Sequence, residues 1–178
     1  MQLSNAQELV AAAERDARAC SVLMNSDPDY LGGQASFHAQ QRAEKYAKAV
    51  ALEVLGSYGR THQIDDLIEA VAQAKEIEVP EEILDHAAQL SAYVTMARYP
   101  AGFEISAEDA REAIAYSARW LVFSSISDSA RFLAWRANSF RRLAACWRHS
   151  PLDARSAFLS AEIVVRCCQL VIYLRSCC

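Results

Sequence analysis

The sequence predicts an all-α bundle of four to five helices, followed by a C-terminal extension that is helical in at least its first part. Three observations predict this class. Apolar residues recur three and four apart through each long segment of residues 1–126. Clusters of Gly, Pro, Ser and Asp fall between those segments, and no strand-like alternation of apolar and polar residues competes there. The chain of 178 residues is long enough to bury a proper core as one domain with an appendage.

The elements follow in order. Ser4 and Gln7 have capping-box spacing, and Val10, Ala13, Ala17 and Cys20 continue one helical face to about Met24. Ser26, Asp27, Pro28 and Asp29 with Gly32 and Gly33 predict a loop. A long helix is predicted over residues 34–57, ended by Gly56 and Gly59. Ile64, Leu67, Ile68 and Val71 define a shorter helix over 64–74. Pro80 suits a first helical turn and Glu81 and Glu82 suit its positive end, so a fourth helix runs to about Ala97 and is stopped by Pro100 and Gly102. Ser106 with Asp109 opens a fifth. The core is expected on the faces around Val10, Phe37, Val54, Leu67, Leu90 and Leu121.

Charge divides the chain. Residues 1–128 hold 10 Lys and Arg against 20 Asp and Glu, whereas residues 129–178 hold 8 Arg, no Lys, and only Asp153 and Glu162. Five of the six cysteines also lie in that second stretch. Such a reversal marks a boundary, giving a bundle over 1–128 and a basic, Cys- and Arg-rich extension over 129–178. Phe132, Leu133, Trp135, Phe140 and Trp147 fit an amphipathic helix, while the run after Ile163 suits helix or strand. The extension is either an added helical hairpin, packed on the bundle or bound to an acidic partner, or translation past the natural end or out of frame. The run 163–174 is broken by Arg166 and Gln169 and is too short to span a bilayer. The first ten residues lack the basic and apolar regions of a secretory signal, and adjacent cysteine pairs do not form a framework of spaced bridges. A cytoplasmic protein with reduced thiols and no membrane association is expected.

Three groups of residues carry the functional reading. Gln40, Gln41, Arg42, Ala43, Glu44, Lys45, Tyr46, Ala47, Lys48 and Ala49 form the first; Thr61, His62, Gln63 and Ile64, with Asp65, Asp66 and Leu67 behind them, form the second. Arg98, Tyr99 and Pro100, followed by the helix start at Ser106, form the third. In this order and at these intervals they resemble the HEPN domain, a helical bundle named for nucleotide binding in higher eukaryotes and prokaryotes. The resemblance covers roughly residues 9–126 and implies an up-and-down bundle. It implies a homodimer and a small nucleotidyltransferase as protein partner, in a system of toxin–antitoxin type. It also nominates Lys45, Lys48, His62, Arg98 and Tyr99 for binding a nucleotide or RNA, where Lys ammonium and Arg guanidinium groups neutralise phosphate. The same residues equally suit a solvated helix face (Lys45, Lys48 and Glu44), a turn cap (His62) and a carboxylate partner (Arg98).

Many HEPN proteins are ribonucleases with an Arg, four to six intervening residues and a His, the His moving protons and the Arg stabilising phosphate charge. This chain departs from that pattern. After Arg98 no His follows within reach, and the nearest acid is Glu104, whose ordinary pKa of about 4.3 leaves it charged at neutral pH. Only Arg142 and His149 have the spacing, and they lie in the basic extension with Leu143 where a polar residue commonly follows the Arg. A non-catalytic module is therefore expected, with residues 1–128 leaving single-stranded RNA intact. A metal-independent ribonuclease and a purely structural adaptor are the alternatives. Neither a cofactor nor a metal is expected: His38 and His86 stand alone, Cys146 and His149 make half a site, and no Cys-x-x-Cys or Walker loop occurs.

Overall fold

The computed structural model describes residues 5–98 and 105–123, all within the unit Met1–Ser127. They form five α-helices and no strand: α1 (Asn5–Ser26), α2 (Pro28–Leu55), α3 (Ile64–Lys75), α4 (Glu81–Arg98) and α5 (Ala107–Phe123). The basic extension over 129–178, with Arg142 and His149, lies outside the described residues, as does Ser4.

The second helix is the axis of the bundle and touches each of the other four. Its composition explains how. Ala35, Ala39, Ala43, Ala47, Ala49 and Ala51 are all buried, on more than one face of the helix, so neighbours approach on several sides without long side chains in the way. On α1, Ala6, Val10, Ala13, Ala17, Cys20 and Met24 are buried at alternating four- and three-residue steps, the stripe a helix needs to lie along a partner. Cys20 donates to the Ala35 carbonyl at 3.4 Å, and burial pushes its thiol up to about 12, so it behaves as a small apolar core residue. From α3, Ile64, Leu67, Ile68 and Val71 face inward, with Ala87 and Leu90 of α4 and Ala110 and Ala113 of α5.

The start of α2 differs from the sequence expectation. Residues 28–33 belong to the helix rather than to a loop, and Asp27 alone separates α1 from α2. Asp27 caps the new helix, its carboxylate accepting from the Tyr30 amide at 3.1 Å, with Pro28 in the first turn. Gly32 is there for space: a Cβ on it would stand 2.9 Å from the Ile105 carbonyl oxygen and 3.1 Å from that of Ser106. A glycine that looks like a breaker thus admits the backbone that leads into α5. Phe37 and Val54, expected in the core, are only half-buried, because the buried surface of α2 is built on alanines and Tyr46 between them. The side chain of Leu121 lies outside the described residues, whereas Val10, Leu67 and Leu90 are buried as expected. Among the described residues no helix is long and apolar enough to cross a membrane.

Candidate functional site

A line of hydrogen-bonded polar side chains runs along α2 between α1 and the loop before α3. Its centre is Glu44, whose side chain is only 7% exposed. One carboxylate oxygen accepts from Lys48 Nζ at 2.7 Å and lies 3.1 Å from His62 Nδ1; the other accepts from Gln40 Nε2 at 2.8 Å. Burial on its own would raise the Glu44 pKa. Hydrogen bonds from Lys48, Gln40 and His62, with the Lys48 charge, outweigh it and hold the carboxyl below the usual glutamate range. The carboxylate therefore stays ionised and holds a lysine and an imidazole beside each other.

The local structure fixes His62 in this place. Gly56 ends α2 in the left-handed region at φ 75°, its amide donating to the Leu52 carbonyl at 3.0 Å. Five residues later Thr61 Oγ1 accepts from the Gln63 amide at 3.0 Å. The Ile64 amide, an unpaired donor at the first turn of α3, is satisfied by Ser91 Oγ of α4 at 3.0 Å. The loop is thus tied at both ends, and His62 sits inside the Thr61–Gln63 turn, two residues before an amide anchored to α4.

The line continues toward α1. Gln41 Nε2 donates to Gln40 Oε1 at 2.8 Å, and Gln41 Oε1 accepts from Lys45 Nζ at 3.1 Å. Lys45 also donates to Asp16 Oδ2 at 2.6 Å, while Asp16 Oδ1 lies 3.0 Å from His38 Nδ1. Two imidazole–carboxylate pairs, His38 with Asp16 and His62 with Glu44, are therefore joined through Lys45 and the amides of Gln41 and Gln40.

Of the nominated residues, Lys48 and His62 meet on one carboxylate. Lys45 pairs instead with Asp16 of α1, so the two lysines serve different anionic centres although they are three residues apart. Arg98 is the last residue of α4; its side chain, and Tyr99 altogether, lie outside the described residues. Sequence reasoning missed Asp16 altogether, left His38 standing alone, and gave Gln40 and Gln41 no role beyond their place in the family pattern. The spacing of Glu44 and Lys48 by four was a visible signal for the central pair, whereas nothing in the sequence brings Asp16 to Lys45. His86 stacks on Tyr116 with ring centroids 3.9 Å apart, away from this line in sequence and contacts. Among the described residues no group of three or more His, Cys, Asp or Glu side chains is placed to hold a metal ion.

A family model described as the HEPN domain matches residues 6–124, well over half of the chain. The chain belongs to the HEPN domain family. The match takes in the helices of the described HEPN bundle, and with them the whole line from His38 to His62. No curated protein and no solved structure gave a match.

Proposed function

We propose that this HEPN protein is a non-catalytic nucleotide-binding and interaction module. In this reading it is a cytoplasmic homodimer that pairs with a small nucleotidyltransferase in a system of toxin–antitoxin type. The observation that carries the binding half is the convergence of Lys48 and His62 on Glu44, at 2.7 and 3.1 Å. Glu44 uses one hydrogen-bond donor of each, and an ammonium has three. In this reading the remaining donors of Lys48, whose side chain is 14% exposed, and the face of a His62 side chain that is 58% exposed are the groups a phosphate would meet. Lys45 and Arg98 are carried in this reading as supporting charges, and Tyr99 as a flanking aromatic.

The test is calorimetric titration of the full chain with ATP, alone and as the Lys48→Ala and His62→Ala variants. Binding that either substitution weakens about tenfold supports the reading. Absence of ATP binding together with no co-purifying nucleotidyltransferase leaves a structural adaptor in its place.

One observation favours a second reading. A carboxylate hydrogen-bonded to an imidazole, as Glu44 is to His62, is how a general base is oriented. Acid/base cleavage of RNA also needs a second proton-transfer group, and among the described residues the other imidazoles are engaged with Asp16 (His38) and Tyr116 (His86). Single-stranded RNA incubated with the full chain should remain intact. Cleavage that His62→Ala abolishes would establish a ribonuclease instead.

A further inference from the structure

We propose that the exposed loop between α2 and α3 forms the other half of the nucleotide site, with Tyr58 stacking on a base and Arg60 binding the phosphate. The ligand class is a nucleoside phosphate, free or as a unit of single-stranded RNA. The proposal rests on the nucleotide-binding reading of Lys48 and His62 and adds to it the residues that recognise the base and carry unpaired charge.

Residues 55–60 are all exposed, yet the loop is tied at Gly56 and again at Thr61 and Ile64, so its side chains stand on a fixed support. Tyr58 is 41% exposed, and Lys48 Nζ lies 5.6 Å from the centre of its ring. The same ammonium donates to Glu44 at 2.7 Å, with His62 Nδ1 3.1 Å from that oxygen. An aromatic ring, an ammonium and an imidazole thus share one corner of the bundle. A ring offers its face to any base, whereas cations recognise the phosphate attached to it.

Arg60 supplies what this corner otherwise lacks. Lys48 has a carboxylate partner in Glu44 and Lys45 has one in Asp16, so their charges are largely balanced within the protein. Arg60 is exposed and forms no ion pair among the described residues. It lies two residues from both Tyr58 and His62, and its guanidinium fork matches the geometry of phosphate oxygens.

The full chain should be titrated with three probes: ATP, inorganic triphosphate and a 5′-phosphorylated oligoadenylate. The variants are Tyr58→Ala, Tyr58→Phe and Arg60→Gln, all at exposed positions. Tyr58→Ala should weaken ATP about tenfold and leave triphosphate unchanged, and Tyr58→Phe should restore ATP binding because the ring is retained. Arg60→Gln should weaken ATP and triphosphate together. If the oligonucleotide binds more tightly than ATP and shows the same dependence on Tyr58, the natural source is RNA; the reverse order assigns a free nucleotide. If ATP binding is lost in Lys48→Ala but unaffected in Tyr58→Ala and Arg60→Gln, the loop proposal is overturned and the nucleotide-binding reading stands. If the wild-type chain binds neither ATP nor the oligonucleotide, both are overturned.

Discussion

Glu44 is the residue on which the site turns. It is a buried carboxylate in the middle of a helix, tolerated because Gln40, Lys48 and His62 satisfy it. Glu44→Gln would remove the charge that orients Lys48, whose own side chain is only 14% exposed, and should destabilise the fold by about 2 kcal/mol at pH 7. The pH dependence has a definite sign. The folded-state pKa of Glu44 is lowered, so its contribution is fully present above the unfolded carboxylate value of about 4.3 and is lost as pH falls through the lower folded value. The gap between wild type and Glu44→Gln, measured by urea unfolding, should therefore narrow from pH 7 toward pH 3. A gap that is negligible at pH 7, or constant across that range, would remove Glu44 from the centre of the site. This environment was only half legible in the sequence. The four-residue spacing of Glu44 and Lys48 announces a helical ion pair but does not say whether it is solvated or buried. The answer depends on His62 and Tyr58, from the loop before α3, approaching the pair, which is tertiary information.

Helices were more legible than the junctions between them. The limits of α3 and α4 and the start of α5 fall within a residue or two of those read from Ile64, Pro80 and Ser106, because capping and breaker chemistry act locally. Ser106 and Asp109 show this directly: the Asp109 amide donates to Ser106 Oγ at 3.1 Å and the Ser106 amide to Asp109 Oδ2 at 2.9 Å. Gly32 and Gly33 misled for the opposite reason, since the cause of Gly32 lies at Ile105 and Ser106, more than seventy residues away. The two glycines therefore make opposite predictions. Gly33→Ala meets only the Ile105 Cδ1 atom at 3.9 Å, an ordinary contact, and should stabilise the helix by about 0.5–1 kcal/mol. Gly32→Ala would press a methyl group against two backbone carbonyls and should cost about 1–3 kcal/mol despite the better helix propensity. Thermal unfolding of both variants checks this, and equal shifts in the same direction would show that the 105–106 backbone does not approach α2 so closely.

At the scale of the whole molecule, the sequence carried the class because helical periodicity is repeated in every segment, and the match over residues 6–124 gives the family. Periodicity was weakest where burial is greatest. Alanines are buried on several sides of α2, so its apolar stripe is diffuse, and Phe37 and Val54 stood out as core candidates although they lie at its margin. The proposed dimer is a prediction at this scale: light scattering of the purified full chain should return twice the mass of one protomer. A monomer at high concentration would require the nucleotidyltransferase partner to supply the association. The central claim, that a nucleotide phosphate is held beside Glu44, is tested most directly by following the four histidines of the chain by NMR while ATP is added. The imidazole signals of His62 should move progressively to saturation, while those of His38, paired with Asp16, and His86, stacked on Tyr116, stay in place. Saturable binding that leaves His62 unmoved, or that moves His38 or His86 instead, would contradict it.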